Sequence, residues 1–113
     1  MKKAIETKKA PGAIGPYSQA IMINNFIFCS GQVGKDPKTN QFVTGGVIAQ
    51  TKQVLENLKA VLLSAGADLS NVVKTTVYLK NVSDFSKINE VYATYFQKPY
   101  PARATIEAAR LPQ

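Results

Sequence analysis

Apolar and polar positions repeat along this chain with a period of two in some stretches and of three to four in others, and the changes of period mark its elements. Residues 3–7 form a short candidate first strand, after which Pro11, Gly12, Gly15 and Pro16 interrupt regular structure as far as Tyr17. Residues 18–23 read as a strand. Asn24-Asn25 fits a two-residue hairpin turn, because asparagine tolerates positive φ. The apolar, aromatic run Phe26-Ile27-Phe28-Cys29-Ser30, bounded by Gly31, predicts a buried strand. Asp36-Pro37 and Gly45-Gly46 predict a loop over 34–46.

From 47 to 65 the period lengthens. Thr51, Leu55, Leu58, Leu62 and Ala65 recur at steps of three and four and predict one face of a helix, with Gln50, Lys52, Gln53, Glu56 and Lys59 largely off it. Gly66 is placed to end that helix in the left-handed conformation. Val72, Val73, Thr75, Thr76 and Val77 crowd 71–79 and predict a strand, joined to the earlier strands by a helical crossover. Ser83 is a candidate cap for a second helix with the apolar face Phe85, Ile88, Tyr92 and Phe96, which Pro99 and Pro101 stop. Residues 102–108 predict a last strand, ended by Pro112. No repeat or linker divides the chain, so 1–113 reads as a single domain. The expected class is α+β, a mixed sheet with two helices on one face. Two helices leave the opposite face bare, which calls for self-association.

Composition narrows the chemistry. At 113 residues the chain buries roughly 65% of its unfolded surface, enough for one modest core. There is no histidine, and Cys29 is the single cysteine. A Ser-His-Asp triad, a Cys-His pair, a His-ligated zinc and an intramolecular disulfide are therefore excluded, and no metal site is expected. No stretch matches a membrane span of about 20 apolar residues, and Met1-Lys2-Lys3-Ala4-Ile5-Glu6 lacks the apolar run of a signal peptide, so a cytoplasmic protein without a membrane partner is expected. The net charge of +7 favours anionic partners. It is scattered, however, with Lys2-Lys3 and Lys8-Lys9 the only adjacent basic pairs, so nucleic acid is not the expected ligand.

Several segments in register then carry a resemblance: Ala13-Ile14-Gly15-Pro16-Tyr17-Ser18-Gln19, Ser30-Gly31-Gln32, Gln50-Thr51 with Asn57-Leu58, Val73-Lys74-Thr75-Thr76-Val77, Asn89-Glu90-Val91-Tyr92, Pro101-Ala102-Arg103-Ala104-Thr105 and Ala109-Arg110-Leu111-Pro112. Together they span essentially the whole chain and resemble the RidA/YjgF family of reactive-intermediate deaminases. The resemblance implies a chorismate-mutase-like fold and a homotrimer with a barrel core and ligand sites between subunits. It also implies hydrolysis of small 2-imino acids (2-iminobutanoate, 2-iminopropanoate) and their enamines, released by pyridoxal-phosphate-dependent dehydratases, to 2-oxo acids and ammonia. No cofactor of the protein's own is implied. The alternatives are a trimer that only binds small carboxylates and, further off, an RNA-binding or RNA-cleaving protein.

Hydrolysing such an imine requires a clamp for the carboxylate, a placed water and a proton for nitrogen; it requires neither metal nor covalent nucleophile. Arg103 suits the clamp, since guanidinium is a planar fork matched to carboxylate. Only Arg103 and Arg110 are arginines among the 14 basic residues, and Arg110 reads as structural. Tyr17 follows a Gly-Pro turn and would offer its hydroxyl to a ligand. Ser30 and Gly31 end a strand where glycine permits close approach. Asn89 lies beside the apolar face of the second helix and would bind ligand or a neighbouring subunit. Thr105 shares a strand face with Arg103; many family members carry cysteine there, preceded by serine, so thiol-dependent behaviour is not expected. Cys29, flanked by phenylalanines, reads as an inert core residue. Family members also continue past the Leu-Pro pair to a last strand with a water-positioning glutamate. No residue here matches it, although Glu107 shares the Arg103 face by parity. A C-terminal strand absent from this sequence is expected.

Overall fold

A computed structural model describes residues 1–112. Strands β1 (Lys3–Ile5), β2 (Ala20–Ile23) and β3 (Phe26–Cys29) form an antiparallel sheet in that order. Helix α1 (Gly46–Ser64) crosses to β4 (Lys74–Leu79), and helix α2 (Phe85–Tyr95) leads to β5 (Ala102–Glu107). Strands β4 and β5 run parallel, with Lys74 opposite Ala102 and Leu79 opposite Glu107. The class is α+β, and the mixed pairing expected from the sequence is distributed over two sheets.

The turns follow local chemistry. Asn24 takes φ 53° between β2 and β3, the left-handed conformation that a tight hairpin demands. Gly66 ends α1 at φ +83°. Its N–H donates to Leu63 at 3.1 Å and that of Ala67 to Leu62 at 2.9 Å, the paired bonds of a Schellman turn. β4 starts at Lys74, later than its β-branched run suggests. Asp68 and Asn71 take each other's backbone amide partners and fold Leu69–Asn71 into one 3₁₀ turn. Ser83 does not cap α2. A 3₁₀ turn, Val82–Asp84, precedes that helix, and the extended residue ahead of it is Asn81, whose Oδ1 accepts the Ser83 N–H at 3.1 Å and its hydroxyl at 2.8 Å.

The core has two parts. Val61 of α1 packs on Ile5, Ala10 and Ala20 under the first sheet. Leu55 packs with Val91, Tyr92 and Phe96, which joins α1 to α2. These positions lie about 120° apart around the helix, so α1 needs a wider apolar face than the single stripe through Leu58 and Ala65. Burying each of the larger side chains among them, such as Val61, Ile5, Leu55 and Phe96, contributes roughly 1.5–3 kcal/mol.

Two buried amides tie loops to this core. Gln19 accepts the Thr7 N–H at 2.7 Å and donates to the carbonyls of Thr7 at 3.1 Å and Pro11 at 2.8 Å, pinning the segment before β2. Asn57, fully buried in α1, donates to the carbonyls of Val33 at 3.2 Å and Lys35 at 2.9 Å and accepts from Gln53 at 2.7 Å. The loop after β3 is held against the helix this way. Gly34 lies so close that a Cβ there would come within 2.9 Å of the Gln50 Cβ.

The expectation of a buried third strand, and with it that of Cys29 as a core residue, is overturned as well. The strand at 26–30 is not buried within the chain: Phe26 and Phe28 are each 64% exposed, and Cys29 is exposed as well. Alternation places Ile27 toward α1 and the phenylalanines on the far side, while β3 is an edge strand that leaves Cys29 uncovered. The far side of the second sheet is also open, with Tyr78 and Ile106 exposed.

Asn57→Ala should lower the unfolding free energy by about 2–3 kcal/mol, since it strips partners from two loop carbonyls and from Gln53; urea denaturation measures it. A second expectation concerns Tyr95, whose hydroxyl donates to Glu56 at 2.7 Å across the two helices. Partial burial, then the bond to Glu56, then its charge push the phenol from 10.0 up to about 12. The neutral phenol is thus favoured by folding. Its contribution is present below pH 10 and lost as the pH rises through about 12. Absorbance titration should find one tyrosine ionising late, and Glu56→Gln should bring it part of the way back.

Candidate functional site

The candidate residues fall into two groups on opposite parts of the chain. The first lies where β5 meets α2. Residues 103, 105 and 107 of β5 and 75, 77 and 79 of β4 share the face turned toward the helices. Arg103 leaves that face across α2, with its guanidinium carbon 4.8 Å from the ring centre of Tyr92 and 5.4 Å from that of Phe85. Such contacts favour a cation over each ring. Its Nη1 donates to the Asn89 Oδ1 at 2.7 Å. That partner is a neutral amide, so the contact orients the guanidinium without neutralising its charge. The side chain is exposed and offers its remaining N–H groups outward.

Thr105 follows on the same face, half-buried, opposite Val77. Glu107 does not join the group. Its Oε1 accepts the Val82 N–H at 2.7 Å, fastening the end of β5 to the turn ahead of α2. A carboxylate used in that way is a fastening rather than a base for water.

The second group lines a cleft of about 150 Å³ that contains Tyr17, Ser30 and Gly31, with Ile14, Gln19 and Val33 among its walls. Ser30 is fixed twice: its N–H donates to the Gln19 carbonyl at 3.0 Å and its hydroxyl to the Ser18 carbonyl at 2.6 Å. The Tyr17 hydroxyl takes only a long 3.4 Å bond from the Ile14 N–H, which leaves it able to donate. Gly31 is not required by crowding inside the chain, since a Cβ there would meet nothing within 4 Å. Among the described residues its N–H has no hydrogen-bond partner within the chain, which leaves a donor at the cleft.

The structure thus joins Arg103 to Asn89 and gathers Tyr17, Ser30 and Gly31, but among the described residues no hydrogen bond links the two groups, and neither Arg103 nor Asn89 lines the Tyr17 cleft. Sequence reasoning missed the supports: Tyr92 and Phe85 beneath the arginine, and Gln19 and Asn57 behind the cleft. Tyr92 stood on the predicted apolar face of α2, and nothing in the periodicity separates a ring that packs from a ring that carries a cation. Gln19 and Asn57 had a usable signal, a lone amide amid positions that tertiary packing buries. Among the described residues no cluster of three or more potential ligands for a metal occurs, and no helix is long and apolar enough to cross a membrane.

Comparison with known proteins supplies the family. The model of the family described as Endoribonuclease L-PSP matches residues 7–113. The 2-iminobutanoate/2-iminopropanoate deaminase of Mus musculus is 53% identical over 113 residues, spanning 100% of this chain and 84% of that protein. The crystal structure of RidA from an Antarctic Psychrobacter superposes with a TM-score of 0.94 at 46% identity, covering 98% of this chain and 89% of that one. The Escherichia coli TdcF structure, which has serine bound, gives a TM-score of 0.93 at 41% identity, covering 98% and 89%. An arginine left free to take a carboxylate, a cleft built from the Gly-Pro-Tyr and Ser-Gly segments, and these matches over the full chain agree: the chain belongs to the RidA/YjgF family, described also as Endoribonuclease L-PSP.

Proposed function

We propose that the protein is an imine deaminase that hydrolyses 2-iminobutanoate and 2-iminopropanoate, with their enamine tautomers, to 2-oxo acids and ammonia. The observation that carries this is Arg103, aimed by two aromatic rings and by Asn89 but paired with no carboxylate by that bond. Relatives about half identical over their length bear the name of this activity. A substrate carboxylate completes the guanidinium fork and fixes the adjacent C=N carbon. Water adds to that carbon, a proton passes to nitrogen, and collapse of the tetrahedral adduct expels ammonia. Tyr17 and Thr105 are the hydroxyls suited to passing that proton. Ser30 and the Gly31 N–H are suited to holding the polar end of the ligand. The word endoribonuclease in the family description favours an RNA reading, but one forked arginine and dispersed lysines suit a small carboxylate better than a phosphate track.

The site is completed between copies of the chain, in a homotrimer. Two observations support this. Arg103 with Asn89 and the Tyr17 cleft are unconnected within one chain, and the outer faces of both sheets carry exposed apolar side chains: Phe26, Phe28, Tyr78 and Ile106. Large apolar side chains left exposed on the outer faces of both sheets suit an interface. Sedimentation should give three times the chain mass, and Phe28→Asp should yield single chains that have lost activity; activity retained by single chains would refute a shared site.

The chemistry is tested by following 2-oxobutanoate from imine that a threonine dehydratase makes in situ, with semicarbazide as competing trap. The protein should accelerate release. Arg103→Ala should lower kcat/KM at least about 100-fold, the loss expected for a charge-assisted pair of roughly 3 kcal/mol. Arg103→Lys, which keeps the charge without the fork, should recover only part of it. Unchanged kcat/KM in Arg103→Ala would remove the arginine from the site.

A further inference from the structure

Arg103 is held by more than the aromatic contact. Its strand neighbour in the parallel register is Thr75 of β4. The Thr75 hydroxyl bonds the hydroxyl of Tyr92 at 2.8 Å, and the Tyr92 ring carries the Arg103 guanidinium at 4.8 Å. The three residues form a closed circuit: backbone pairing from Arg103 to Thr75, a hydrogen bond from Thr75 to Tyr92, and the ring of Tyr92 back to Arg103. Tyr92 is buried, and its ring is backed at 4.5 Å by that of buried Phe96. The bond from its hydroxyl to Thr75 ties the far end of the ring to β4, so that the ring cannot swing away from the β4–β5 pair.

We infer that Tyr92, locked by Thr75, is a positioning residue that sets the direction in which the Arg103 fork presents itself to a ligand carboxylate. A guanidinium binds a carboxylate through two parallel N–H groups in one plane, so its orientation matters as well as its charge. Asn89 accepts from one N–H group of Arg103 at 2.7 Å, while the Tyr92 ring supports the guanidinium carbon at 4.8 Å. Losing the hydroxyl of Tyr92 leaves the cation and both rings in place but frees the plane. The same follows if Thr75 loses its hydroxyl, although that hydroxyl bonds Tyr92 and neither the guanidinium nor Asn89. The inference rests on the reading of Arg103 as the carboxylate clamp.

The test measures 2-oxobutanoate binding by calorimetry beside imine turnover, in Tyr92→Phe, Thr75→Val, Thr75→Ser and the double variant Tyr92→Phe/Thr75→Val. Each of the first two should weaken binding about fivefold, the worth of one hydrogen bond, and raise KM by a similar factor with kcat little changed. The double variant should be no weaker than either single one, because both break the same bond. Thr75→Ser, which keeps the hydroxyl, should restore binding. Lowered melting temperatures with unchanged binding in the first two variants would overturn the inference and leave the bond a packing feature. Additive losses in the double variant would overturn it as well. If the wild-type protein binds 2-oxobutanoate without accelerating imine hydrolysis, the deaminase reading fails while the binding series still decides the role of Tyr92. If it neither binds nor turns over, both readings fall.

Discussion

The structure depends on one geometric constraint: two helices cover only one side of five strands. Helix α1 shields the first sheet through Val61 and reaches α2 through Leu55, and α2 in turn covers the parallel pair β4 and β5. Everything on the other side of the strands is left to water or to another molecule. The residues found there include the exposed Phe26, Phe28, Tyr78 and Ile106, side chains that a partner surface would cover. The same constraint decides where chemistry can sit. Side chains on the helix side of β5 are drawn toward α2, and Arg103 among them is stretched across two rings instead of pointing into solvent alone.

Against this frame the polar groups have distinct tasks. Gln19 and Asn57 have both their amide nitrogens and their amide oxygens hydrogen-bonded to backbone or to another amide, which offsets the cost of burying them. They hold the loops that carry Tyr17, Gly31 and Val33, so the cleft walls stand on the core and not on flexible chain. Arg103 is treated differently. Its fixed contacts are two ring faces and one neutral amide, interactions that orient a cation and leave its charge available. A carboxylate in place of Asn89 would have quenched it.

Much of the fold was legible in the sequence because local physics is strong there. Helix α1 was recognised from its three-and-four spacing and ended at Gly66, where only a residue free to take positive φ closes the turn well. The β2–β3 hairpin followed from Asn24-Asn25. The failures were at places where competing local bonds decide. Ser83 has the chemistry of a cap, but its N–H and hydroxyl both donate to the Asn81 Oδ1, which builds an extra turn ahead of α2. The buried reading of 26–30 treated apolar content as burial, whereas strand alternation sends half of those side chains away from the only helix that could cover them.

By itself the sequence determined the element order, the family and the identity of the polar candidates, because periodicity, turn chemistry and motif register are properties of neighbours along the chain. It also excluded catalysis by a histidine of this chain and a disulfide within it, since the first needs a residue the chain does not contain and the second needs two cysteines where it has one. Only the tertiary structure decided that Arg103 meets Asn89, Tyr92 and Phe85, that Glu107 is already engaged by Val82, and that the Tyr17 cleft stands apart from the arginine. Those relations join residues far apart in sequence through the β4–β5 register and the seat of α2 on it. No pattern along the chain encodes which side chain a strand will bring beneath a particular ring.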